Sequence, residues 1–255
     1  MTPASTSDAS AAGMLPGTLS EDLAAASLAM ARRFAGGATM WCVAPAWPQH
    51  ARDVAVGFMH PAIVGRRALS AVAVIDGHPV GRLRRLAHSG DLLLAMSASD
   101  QVEVVEVMRR APAWGLETVW IGAGVRPEPG AADHVLWVDA DSEAVADTGG
   151  LVPLCHVLGE LIHDCFEHHD LLELDDPAAC TKDGVCVTCA DEGRLGEIVT
   201  AEAVGKFDHS AVARTASGLE EIDTSLVGTL APGDLVVIHA GTAIGLIETA
   251  GGSSK

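Results

Sequence analysis

Basic residues are scarce in this chain: 16 Lys and Arg stand against 34 Asp and Glu, giving a formal net charge of -18 over 255 residues. Proteins that grip a phosphate backbone depend on clustered Lys and Arg, so nucleic acid is excluded as an expected partner. Long apolar runs are missing as well. The hydrophobic stretches break well short of the roughly 20 residues that a bilayer span requires, so no membrane partner is expected. Met1 to Gly17 is rich in Ala, Ser, Thr and Pro and lacks the basic segment and apolar core of a leader. A flexible tail and a cytoplasmic protein are the expectation. In a reducing compartment the six cysteines are free thiols or metal ligands, not a disulfide framework. No internal repeat of useful length is visible.

What is present suits a globular protein, with 49% hydrophobic and 20% charged residues. Domains typically run to about 100–150 residues, so this length predicts two. From Leu19 to His169 helix-like and strand-like patterns alternate, the signature of an α/β fold with a mostly parallel sheet. Strands are expected at Ala38 to Ala44, Ala71 to Ile75, Asp91 to Met96, Thr118 to Gly122 and Val135 to Val138, nearly all apolar as befits strands covered on both faces. Helices are expected at Glu21 to Phe34, Pro48 to Met59, Pro79 to Leu86, Gln101 to Trp114 and Leu151 to Leu174. Turn residues then dominate. Beyond them short β-type runs, Leu195 to Thr200, Ala211 to Thr215, Glu221 to Leu226 and Leu235 to His239, predict a small, OB-like β-barrel. The expected organisation is a tail (1–18), an α/β domain (19–172), a linker (173–184), a barrel domain (185–248) and a second tail (249–255).

Cys186, Cys189 and His239 combine thiols with an imidazole, the ligands that softer first-row metals prefer. Cys180 extends the cluster to a structural zinc site if His163 or Cys165 contributes, because the usual second Cys pair is missing. A redox role for Cys186 and Cys189 is the other reading of a Cys-x-x-Cys pair. His239 is alternatively a barrel residue satisfied by a carbonyl. On the Leu151 helix, His156, Glu160 and His163 share one face by their spacing, which fits either a metal site or a packed, polar helix face. Cys42 reads as a small buried hydrophobe.

The strings Val56-Gly-Phe-Met-His60-Pro-Ala-Ile-Val-Gly-Arg66, Gly90-Asp-Leu-Leu-Leu-Ala-Met-Ser97-Ala-Ser99 and Cys155-His-Val-Leu-Gly-Glu160-Leu-Ile-His163 resemble the SIS (sugar isomerase) family, nearest to sedoheptulose-7-phosphate isomerases. The resemblance covers about 150 residues and implies a SIS-like parallel sheet with flanking helices. It also implies a phosphate cradle built from loop and helix amides. Here the first loop carries Pro45, Trp47 and Pro48, which remove amide donors and fill space. Asp53 and Gly57 stand where the family places a His and a Glu, and Cys155 where it places a glutamine; His163 matches the family histidine. Isomerisation needs a positioned base, so a non-catalytic domain serving oligomerisation or scaffolding, as a homodimer, is expected. Ser97 and Ser99 are either a phosphosugar remnant or helix-capping residues.

The second module, with Asp223-Thr-Ser-Leu226-Val227 and Pro232-Gly-Asp-Leu-Val-Val-Ile-His239-Ala-Gly241-Thr-Ala243, resembles HypC/HupF chaperones of nickel-iron hydrogenase maturation. That resemblance implies a transient Fe(CN)2CO centre held near Cys186, Cys189 and His239, a HypD-type partner, and the precursor of the hydrogenase large subunit as client. The family keeps its cysteine at the N-terminus, whereas these thiols are internal. The expected function is therefore a hydrogenase maturation chaperone, not an enzyme. Two alternatives stand beside it: a sugar-phosphate isomerase or sugar-phosphate sensor of the SIS family, and a zinc-stabilised structural adaptor.

Overall fold

The computed structural model describes residues 17–75, 77–138, 151–173, 193–201 and 209–247. Five parallel strands form one sheet: β1 (Met40–Val43), β2 (Ala71–Val74), β3 (Leu92–Met96), β4 (Glu117–Ala123) and β5 (His134–Val138), in the order β2-β1-β3-β4-β5. Around it lie α1 (Gly17–Ala35), α2 (Pro48–Met59), α3 (Pro79–Leu86), α4 (Val102–Arg110), α5 (Leu151–Glu167) and the short α6 (His169–Glu173). The order reverses between β1 and β3. Loops leaving the carboxyl ends of those strands diverge there, and the crevice between them is where open α/β sheets bind ligands.

Alternation along the strands sorts the core into two layers. Met40 and Cys42 of β1, with Leu92, Leu94 and Met96 of β3, pack against α1, α2 and α5. Trp41, Val43, Leu93 and Ala95 face the other way, against α3, α4 and a turn of 3-10 helix at Ala111–Trp114. The sequence predicts one helix from Gln101 to Trp114. Pro112 cannot donate the amide an α-helix needs there, so the last turn tightens to 3-10 and ends at Gly115, whose φ is 75°. The long helix expected to run to Leu174 is likewise divided, into α5 and α6.

The remaining strands, β6 (Arg194–Thr200), β7 (Ser210–Thr215), β8 (Gly218–Asp223), β9 (Leu235–His239) and β10 (Thr242–Ile247), close a barrel in the order β10-β8-β7-β6-β9. The β6-β7-β8 meander is antiparallel, β9 closes on β6, and β10 runs parallel to β8 at Thr242 and Asp223. This five-stranded Greek-key arrangement meets the OB-like expectation. No helix among the described residues is long and apolar enough to cross a membrane.

The barrel is seated on the sheet module. Leu235, Leu195 and Ile247 join the apolar layer on the α3 and α4 side. At the centre of the contact Glu197, 2% exposed, accepts hydrogen bonds from Arg84 Nη2 (2.6 Å), Arg110 Nη1 (2.8 Å) and Trp114 Nε1 (2.7 Å). Arg214 of β7 donates to the carbonyls of Arg84 and Ala87 at the end of α3 and stacks its guanidinium 5.7 Å from the Trp114 ring centroid. Ser89 Oγ donates to the Ala216 carbonyl at 2.7 Å.

Candidate functional site

A cavity of about 190 Å³ opens between α2 and α5, above the carboxyl end of β3. Helix geometry assembles its wall. On α2, His50, Asp53 and Gly57 follow one another at spacings of three and four residues, so they share a face. On α5, Cys155, His156, Gly159, Glu160 and His163 do the same. Met96 forms the floor, its Sδ 3.8 Å from Cys155 Sγ. Gly57 and Gly159 leave the space open: a Cβ at Gly57 would meet nothing within 4 Å, and one at Gly159 only the Phe58 ring at 3.8 Å. Every one of these side chains lies on the crevice side of the β1/β3 reversal, where the topology places a ligand.

The polar groups of the wall differ in state. His163 is 7% exposed, and burial, with Arg66 nearby, holds its pKa below the ordinary imidazole value. It is therefore a neutral imidazole at pH 7, fit to accept or donate a hydrogen bond or to take a proton. His50 Nε2 is buried and has no hydrogen-bond partner among the described residues. A buried polar atom without a partner is costly, so this nitrogen calls for one. Glu160 is held by Arg66, which also reaches Asp164. Arg67 lies 5.1 Å over the Phe166 ring, so the segment after α2 is pinned across α5 at two points. Cys155, also in the wall, has its thiol pushed up to about 12 by burial, so it stays protonated and does not act as a nucleophile at neutral pH.

The lowered pKa of His163 has a signed consequence. An unfolded chain binds a proton at this imidazole near pH 6.5 while the folded one does so only at lower pH, so the contribution of this group is complete above about pH 6.5 and is lost as pH falls through the folded value. His163→Gln is expected to flatten the loss of stability between about pH 7 and pH 5 in urea titrations. An unchanged slope would place the pH sensitivity elsewhere.

Among the described residues, the sequence-predicted side chains lie in separate places. Ser97 is fully engaged: its amide donates to the Ile121 carbonyl, its Oγ donates to the Ala98 carbonyl and accepts from Trp120 Nε1. Ser99 lies in the same β3 to α4 loop and, like Ser97, is absent from the cavity wall. His156 and His163 reach the cavity with Glu160, yet Glu160 turns to Arg66, and among the described residues no three His, Cys, Asp or Glu side chains gather as a metal-binding group. Cys42 is buried in β1, as expected. Cys180, Cys186 and Cys189 lie outside the described residues. The sequence reading missed His50 and His60; their signal was His50, Asp53 and Gly57 at helical spacing on a helix whose first turn carries a proline.

His239 ends β9, half-buried, opposite Thr242 of β10. Ala240 and Gly241 between them have φ of 49° and 81°, the two positive values of a tight two-residue hairpin. The Pro232-Gly233-Asp234 string is also a turn, with Gly233 at φ 95° and Asp234 Oδ2 accepting from the Ala231 amide at 2.7 Å. Asp223 Oδ1 accepts from the Ser225 amide at 2.9 Å, a turn closed by the side chain. Of the strings that carried the chaperone resemblance, Gly233, Asp234, Ala240 and Gly241 thus sit in turns.

No family model and no curated protein matches the chain. Solved structures that are similar include a phosphoheptose isomerase from Francisella tularensis, 16% identical, with 58% of this chain and 88% of that one covered and a TM-score of 0.49. Another is a phosphoheptose isomerase from Neisseria gonorrhoeae, 15% identical, with coverages of 59% and 87% and a TM-score of 0.45. The expected hydrogenase maturation function is corrected by these findings: the structural neighbours are phosphoheptose isomerases and nothing supports a HypC/HupF chaperone part. The α/β expectation of a SIS-like parallel sheet with flanking helices and a small barrel holds, and the second sheet has five strands.

Proposed function

We propose that the cavity between α2 and α5 binds a small sugar-class ligand, and that the chain is a sensor built on the SIS plan. The observation that carries this reading is the convergence of His50, with its unpartnered buried Nε2, and neutral His163 on one cavity at the β1/β3 reversal. Sugars offer hydroxyl groups that donate and accept at once, which matches a wall of imidazoles and carboxylates. The resemblance of the strings around His60, Met96 and Cys155 to sugar isomerases points the same way. Gly57 where that family has a glutamate removes from the cavity the carboxylate that the resemblance assigns to moving a proton between carbons.

One observation favours a second reading, aldose-ketose isomerisation. His163 is a neutral imidazole in the cavity wall and so is a competent base. Turnover separates the two. Within a panel of ketoses, aldoses and their phosphates, at least one member should raise the melting temperature of the full chain, with conversion of none. Conversion lost in His163→Gln would establish the isomerase instead.

Gly57→Leu gives a sharper test. Leucine is the better helix former by ~1 kcal/mol, and at Gly57 its Cβ would meet nothing within 4 Å. The variant should melt about 2–4 °C higher than the parent and lose the ligand-induced shift. A variant that still responds to the same ligand would place the site elsewhere.

A further inference from the structure

We infer that the ligand of this cavity carries no phosphate: the site is built for an uncharged or amine-bearing sugar. The inference rests on the cavity being the ligand site. Among the described residues of its wall there is no Lys, Arg, Ser, Thr, Asn or Gln, while two carboxylates, Asp53 and Glu160, are present. Arg66, beside the wall, is occupied by Glu160 and Asp164. A phosphate monoester brought here would meet like charge and no free cation.

Some of the backbone amides near the crevice are also missing or engaged. Pro48 in the first turn of α2 and Pro153 in the first turn of α5 have no N–H to offer. In the loop that follows β3 the Ser97 amide is bound to the Ile121 carbonyl, and that of Gln101 to the Ala98 carbonyl. The first turn of α4 already holds an anion of its own. Glu103 accepts from its own backbone amide and from Gln101 Nε2, and these bonds lower its pKa. What the wall keeps is hydroxyl-binding chemistry: His50, His60, His156 and His163 with two carboxylates, a set that also accepts an ammonium group.

The test uses matched pairs on the full chain at about pH 8, where His163 is neutral: glucosamine with glucosamine 6-phosphate, and sedoheptulose with sedoheptulose 7-phosphate, by calorimetric titration. At least one free sugar is expected to bind about tenfold or more tightly than its phosphate ester, the sign set by carboxylate repulsion. Asp53→Asn, an exposed substitution on α2, should narrow that ratio. An ester that binds as tightly as its free sugar, or a ratio untouched by Asp53→Asn, overturns the inference and leaves the cavity as the ligand site. Binding by neither member of either pair removes the cavity reading and the inference together.

Discussion

Glu197→Ala should cost roughly 3–5 kcal/mol of stability, the range for removing one partner of a buried charged group. Glu197 is 2% exposed and its two oxygens serve Arg84, Arg110 and Trp114, all from the sheet module, while the residue itself lies on β6 of the barrel. Truncation leaves the Arg110 guanidinium, whose side chain is 8% exposed, beside an empty carboxylate site; Glu106 and the Gly233 carbonyl then carry it alone. It also strips the indole N–H of buried Trp114 of its acceptor. Glu197→Gln keeps the volume and one acceptor, so it should cost less than Ala but still destabilise, because an amide cannot neutralise two guanidinium groups. Urea unfolding of both variants checks the order. The transition should remain shared between the modules in the parent and separate into two in Glu197→Ala, since the polar centre of the contact is gone while Leu235 and Leu195 remain. A loss under about 1 kcal/mol would mean that the cluster is no better than a surface ion pair.

The second large effect is expected at Gly122. This residue lies in β4, opposite Trp137 of β5, and a Cβ placed there would come within 2.3 Å of both the Ser97 carbonyl oxygen and the Trp137 ring. Neither neighbour can give way easily. Ser97 is backbone, and Trp137 is fixed by its indole N–H to the Gly124 carbonyl at 2.8 Å and by an edge-on contact with Trp120 at 6.2 Å between ring centroids. Even Gly122→Ala should therefore cost at least about 3 kcal/mol, at the upper end of overpacking effects, and should disturb the β3 loop that carries Ser97. Thermal melting read with tryptophan fluorescence would show it. By contrast Gly57→Leu, a far larger side chain, is expected to be stabilising, because its Cβ meets open space.

The comparison explains what a sequence can and cannot disclose here. Buried strands read clearly because β1 and β3 are apolar on both faces; Met40 to Val43 and Leu92 to Met96 are buried throughout. Helices α2 and α3 read to the residue because a proline opens each. The third barrel strand was displaced: Glu221 to Leu226 was expected, whereas β8 spans Gly218–Asp223 and Thr224 to Leu226 form the turn. Its alternation is obscured by Leu219, an apolar residue that stays 69% exposed. The site was half legible. His163 and Glu160 were visible from their helical spacing, but the pairing of Glu160 with Arg66, 94 residues away in sequence, was not. The contact around Glu197 was invisible for the same reason, since its partners lie 83 to 113 residues distant and no local pattern marks a carboxylate that will be buried. The chaperone motif misled because turn chemistry repeats wherever a small barrel turns tightly. Gly233 and Gly241 are explained by the positive φ of their turns.

The central claim is that His50 and His163 face a ligand in the cavity between α2 and α5. It is tested most directly by nitrogen-proton correlation spectra of the imidazole groups during titration of the full chain with glucosamine and with sedoheptulose. The account predicts that the resonances of His50 and His163 move together and saturate with at least one of these sugars, and that Gly57→Leu abolishes the movement while keeping the fold. Imidazole signals of His50 and His163 that stay fixed throughout both titrations would contradict it.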